Sequence, residues 1–105
     1  MIEVEVSKTI GIGSYDYRVT FKQRMARDTK MLGTLDSDTQ VMELEPDTSQ
    51  QTKTMTFWHE TIEGINDVFH CDLTEENIDR IAQGIVSIMR RDLGIELNWS
   101  RIGGE

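Results

Sequence analysis

His59 and Glu63 stand four residues apart in a stretch whose apolar residues repeat at helical spacing. Residues four apart on a helix lie one turn apart on one face, with Cβ atoms about 5–6 Å from each other. One ion can therefore touch both side chains. Imidazole and carboxylate are both ordinary zinc ligands. Glu60 follows His59 directly and sits about 100° further round a helix of 3.6 residues per turn. That angle removes it from the ligand pair but leaves it within reach of a water held by the ion. A carboxylate in that place serves as general base. The same face continues through Asn66 and His70. Its bland counterpart is a solvated polar stripe, because His and Glu at this spacing are common on helix surfaces.

The run Phe57-Trp58-His59-Glu60-Thr61-Ile62-Glu63-Gly64 is one residue away from the His-Glu-x-x-His pattern of zinc metallopeptidases. Phe57 and Trp58 give the histidine an apolar flank. The charge around it is one-sided. Residues 1–53 carry 7 basic and 9 acidic side chains, a net −2, and residues 54–105 carry 4 and 10, a net −6. Between Thr54 and Asp79 there is no Lys or Arg, yet Glu60, Glu63, Asp67, Asp72, Glu75, Glu76 and Asp79 all fall there. Such a cluster repels itself unless a cation or a basic partner lies nearby. The total of −8 argues against binding nucleic acid through its phosphates, which takes clustered Lys and Arg.

Other reactive residues carry less. His70 reads as a helix-end residue. Cys71 is the single cysteine, so no internal disulfide is possible, and a reducing cytoplasm is the natural setting. Its acidic neighbours raise a thiol pKa, which disfavours a nucleophile. Gly11-x-Gly13 is too short for a phosphate loop and opens no helix. No apolar run is long enough to span a membrane, and the N-terminus lacks the basic start and apolar core of a signal peptide.

The elements that must position the site follow from periodicity. The length suits one domain over residues 1–105. Residues 1–46 read mainly as strands. Ile2, Val4 and Val6 alternate with Glu3 and Glu5, a strand with one wet face. Tyr15, Tyr17, Val19 and Phe21 alternate again, followed by a charged loop or strand extension from Lys22 to Lys30. Met31–Leu35 and Gln40–Glu45 complete about four strands, with a turn at Asp36–Thr39 and a stop at Pro46. Residues 47–93 read as two helices. Asp47 is the expected N-cap of the first, with Gln50 in the capping-box position. Met55, Trp58, Ile62, Ile65 and Phe69 form its apolar stripe, expected to face the strands. Thr74 caps the second helix, Glu75 and Glu76 suit its positive end, and Ile78, Ile81, Ile85 and Ile88 repeat the stripe, with Ala82 and Met89 widening it. Gly94 is a C-cap, and residues 94–105 form an extended tail in which Ile95, Leu97 and Trp99 alternate. The fold class is α+β: a small N-terminal antiparallel β-meander followed by a two-helix hairpin.

The stretch Thr56–Asn66 resembles the active-site helix of small phage and bacterial zincin-like proteins. These read His-Glu-x-x-Glu-Ala-x-Asn or His-Glu-x-x-His and are distant relatives of ImmA/IrrE-type metallopeptidase domains. The resemblance extends through the preceding strand Gln40–Leu44 and the helix start Leu73–Ile78, over about residues 31–92. It implies a metal-dependent peptidase or a degenerate descendant, with a peptide or protein as substrate. It makes His59 the first ligand, Glu60 the catalytic glutamate, Glu63 the second ligand, and Gln40–Leu44 the strand along the cleft. Glu75 falls where the small phage proteins often carry a ligating histidine. Two glutamates in place of histidines make a harder, more anionic site, which leaves Mn²⁺, or no metal, open beside zinc. Helix geometry names a different third ligand. In a tight hairpin turning near residue 72, Asp79 or Gln83 lies closer to His59 than Glu75, which falls on the order of 10 Å away. A splayed second helix brings Glu75 in, so Glu75 stands first on the resemblance and Asp79 second on geometry. The alternative to a hydrolase is a non-enzymatic acidic protein, perhaps phage-encoded, whose Glu60–Asp79 face covers a basic surface on a host protein.

Overall fold

The computed structural model describes residues 1–103. The last two residues of the expected tail, Gly104 and Glu105, lie outside the described residues. The chain is α+β, with N-terminal strands in a sheet followed by two long helices. Strands β1 (Ile2–Glu5), β2 (Thr9–Ile12) and β3 (Tyr15–Phe21) lead to a short helix α1 (Met25–Thr29). Strands β4 (Gly33–Asp36) and β5 (Val41–Leu44) come next. Helices α2 (Gln50–Phe69) and α3 (Glu75–Ser87), a π-helical turn over Ile88–Asp92, and β6 (Ile95–Asn98) complete the chain.

The sheet is not the expected meander. Its order is β2-β3-β5-β4, and β3 pairs with β5 in parallel, Val19 against Met42 and Phe21 against Leu44. Two antiparallel hairpins flank that centre. The first turns at Gly13, whose φ of 61° suits a residue without Cβ. The second is held by Asp36 Oδ1, which accepts from the amides of Asp38 and Thr39. Burial explains the order. Met42 and Leu44 are fully buried, so β5 takes the middle. The more polar Gly-Thr-Leu-Asp segment is left at the edge.

The first strand also departs from expectation. β1 is exposed along its whole length and pairs in parallel with β6 in a separate two-stranded ribbon. Its alternation describes two uncovered faces, and Val6, just beyond it, is the first residue to enter the core. Part of the charged stretch 22–30 folds as α1, which buries Met25.

The long helix begins later than Asp47. Ser49 is the N-cap and its side chain accepts from the Thr52 amide, whereas the Asp47 amide donates to Glu45 Oε2 in the preceding bend. The second helix starts as read, with Thr74 and Asn77 forming a reciprocal capping box. Gly94 has a φ of 63° and follows the π-helical turn rather than an α-helix.

Two glycines fix how α2 meets the sheet. A Cβ on Gly64 would lie 2.6 Å from Ile12 Cδ1, and one on Gly33 would lie 2.5 Å from Thr56 Cγ2 and 3.2 Å from Glu60 Cγ. Helix and sheet therefore approach through Gly64, Thr61 and Phe57. The stripe of Met55, Trp58 and Ile62 turns towards α3, where Ile62 packs with Ile78 and Ala82. This corrects the expected orientation: α2 is covered on two sides, by the sheet and by α3. Its buried Thr54 and Thr61 hydroxyls donate to carbonyls four residues back, so neither is left unsatisfied.

Candidate metal centre

The turn between the two helices decides which acids reach His59. His70 caps α2 in the left-handed conformation and Asp72 has a φ of 59°. Asn66 Oδ1 accepts from the Leu73 amide, which ties the connection back onto α2. α3 consequently starts beside the middle of α2 instead of running as a tight hairpin. Glu75, in its first turn, reaches His59: Nε2 lies 3.3 Å from Glu75 Oε2 and 3.8 Å from Asp79 Oδ1. One ligand atom each from His59, Glu63 and Glu75 lie within 4.8 Å of one another. Asp79 borders the same space as a fourth acid.

The histidine carries the clearest signal. His59 Nε2 is buried and makes no hydrogen bond, although Glu75 stands so close. Its Nδ1 lies 3.8 Å from Glu60 Oε2, too far for one. Buried polar atoms are normally partnered. Zinc ligands at bond lengths of about 2.0–2.2 Å stand about 3.4 Å apart in a tetrahedron. His59 and Glu75 already have that separation, and rotation of the half-exposed Glu63 closes the remainder. The donor set fits zinc or a harder divalent ion.

The acids behave as crowded groups. Glu60 is 8 % exposed, beneath the Gly33 backbone. Burial pushes its carboxyl up to about 7, opposed by His59 and reinforced by Glu63 and Glu75. Glu63 is also pushed up to about 7, by burial first, then by a hydrogen bond and repulsion from Glu75, with Asp67 adding to it. In the absence of an ion, a proton between Glu63 and Glu75 relieves the repulsion that a cation would otherwise relieve.

The ligands open onto a cleft of about 720 Å³, the size of a small-molecule or peptide site. One wall is helical, with Glu63, Asp67, Glu75 and Asp79; the other is Met31, Leu32 and the edge strand β4. The strand along the cleft is thus β4, not the Gln40–Leu44 segment, because β5 is enclosed between β3 and β4. From the sequence, Asp67 stands only as a member of the acidic cluster, and Gly33, Met31 and Leu32 have no functional part. Asp67 continues the four-residue spacing of His59 and Glu63, and a glycine within a strand marks a close approach, so two of these carried a readable signal. Met31 and Leu32 carried none. His70 and Cys71 are exposed at the helix junction and take no part. No helix among the described residues is long and apolar enough to cross a membrane. Comparison of the chain with protein-family models, with curated proteins and with solved structures finds no match.

Proposed function

We propose that the chain is a zincin-like, metal-dependent hydrolase of peptide bonds, or a descendant that retains the metal site. The observation that carries this reading is the buried, hydrogen-bond-free His59 Nε2 facing Glu63 and Glu75. His59, Glu63 and Glu75 would hold the ion, zinc first and manganese second. A bound divalent ion supplies polarisation of a carbonyl and a lowered pKa for water. The chain's own residues do the rest. Glu60, kept nearly dry under Gly33 and poised near neutrality, takes a proton from water on its carboxylate and returns it to the leaving amide nitrogen. The β4 wall keeps bulk water from its carboxyl. The proposed setting is the cytoplasm, where a single exposed thiol such as Cys71 stays reduced.

Calorimetric titration of the purified, chelator-treated protein with Zn²⁺ and Mn²⁺ tests the site. His59→Ala and Glu63→Gln should each weaken binding by at least tenfold, and unchanged affinity in both defeats the proposal. Hydrolysis of an unstructured protein such as casein tests the chemistry. Glu60→Gln should keep the ion and abolish turnover.

A further inference from the structure

Two unlike walls enclose the cleft, and between them they describe a ligand. The helical wall carries Asp67 and Asp79 beside the metal-facing glutamates, and among the described residues no lysine or arginine lines the space. Among the described residues outside the cleft, Glu76 pairs with Arg80 at 2.6 Å, Glu5 with Arg101 at 3.1 Å and Glu96 with Arg90 at 3.9 Å. Among the described residues, the base that faces the cleft acids is the His59 ring. A divalent ion on His59, Glu63 and Glu75 balances the two glutamates and leaves Asp67 and Asp79 uncompensated. A concave surface of one sign focuses its field and concentrates ligands of the other. The opposite wall offers apolar surface, with Met31 50 % and Leu32 38 % exposed.

We propose that the cleft selects extended peptide segments in which a lysine or arginine adjoins an apolar residue. The inference rests on the hydrolase reading for its chemistry, but the selectivity belongs to the walls. A Lys or Arg side chain is itself two-sided. Its alkyl stem lies along Met31 and Leu32 while its head reaches Asp67 and Asp79. An acidic segment meets repulsion at the helical wall and gains nothing at the other.

The test uses the full chain, zinc-loaded and chelator-treated, with labelled unstructured peptides of one length. Leu-Lys, Leu-Gln and Leu-Glu repeats are compared by fluorescence anisotropy, and their cleavage is followed separately. The Leu-Lys peptide should bind at least tenfold more tightly than Leu-Glu and weaken as salt is raised. Asp67→Asn should cost about threefold to fivefold for Leu-Lys, the weight of one exposed charge pair. Glu76→Gln removes the same charge from the neighbouring helix α3, outside the cleft, and should cost less than 1.5-fold, roughly within the scatter expected of an uninvolved surface pair. Leu32→Ser should weaken every leucine-containing peptide without changing the Lys-to-Glu ratio. Equal binding of Leu-Glu, equal losses in the Asp67 and Glu76 variants, or no binding of any peptide overturns the proposal. Selective binding without cleavage keeps it and defeats the hydrolase reading, whereas cleavage without charge preference does the reverse.

Discussion

Glu60→Gln isolates the cost of a dry carboxyl. Glu60 is 8 % exposed, has His59 Nδ1 at 3.8 Å as its nearest counter-group, and holds its proton to about pH 7 from an ordinary 4.5. A shift of about 2.5 units at 1.36 kcal/mol each corresponds to about 3 kcal/mol. The sign follows from which state binds the proton. The folded protein keeps it where the unfolded chain has lost it, so stability present below pH 4.5 drains away as pH rises through 7. Roughly 2.5 kcal/mol of that loss falls between pH 5 and pH 8. Glutamine keeps the shape and cannot ionise. Urea unfolding of the chelator-treated protein should therefore show the parent losing about 2.5 kcal/mol more than Glu60→Gln over that interval. At a slope of about 1–2 kcal/mol/M the parent midpoint moves by more than about 1 M relative to the variant. Curves that run parallel to within about 0.5 kcal/mol would refute the claim that Glu60 is dry and protonated near neutrality.

Zinc affinity should rise by about tenfold per pH unit or more from pH 5.5 and level off above 7, because Glu63 must release its proton to the ion and the His59 ring must bind as the neutral imidazole; a flat calorimetric profile would place the ion elsewhere. Gly33→Ala should cost about 1–3 kcal/mol, since the new methyl meets Thr56 Cγ2, which is held by the Thr56 hydroxyl's bond to the Thr52 carbonyl. Thr56→Ser removes that methyl and keeps the bond, so the double variant should recover most of the loss in thermal unfolding. Met89→Ala should cost about 2–5 kcal/mol and shift Trp58 fluorescence, because Met89 fills the core and its sulfur accepts from Trp58 Nε1 at 3.1 Å. Ser49→Ala should cost about 1 kcal/mol by removing the cap on the Thr52 amide, while Asp47→Ala should cost far less.

The helices were legible because their signals are local. Thr74 as a cap, the 3–4 spacing of Ile78, Ile81, Ile85 and Ile88, and the i, i+4 pair His59 and Glu63 depend on neighbours within two turns, although Ile81 and Ile88 stay exposed and the buried face runs through Ala82 and Met89 instead. The strands at Tyr15–Phe21 and Val41–Leu44 were legible for the same reason. Their partners were not, because pairing depends on which strand is most completely buried, and Met42 and Leu44 won the centre only in competition with β4. The short β2 gives little strand signal because Gly11 interrupts it, yet Gly11 pairs with Asp16 within the hairpin.

The same division runs through the candidate site. The residue types alone determined that His59, Glu60 and Glu63 share one helix at ligand spacing and that no local cation opposes the acids around them. Which of Glu75 and Asp79 stands nearer His59 was set only by the tertiary structure. That choice turned on two left-handed residues, His70 and Asp72, and on one Asn66 side chain holding the loop. A few backbone dihedrals there displace α3 along α2 by a turn or more, a shift that no periodicity in either helix encodes. Likewise, Glu60 became a buried acid only because Gly33, remote in sequence, lets the edge strand lie against it.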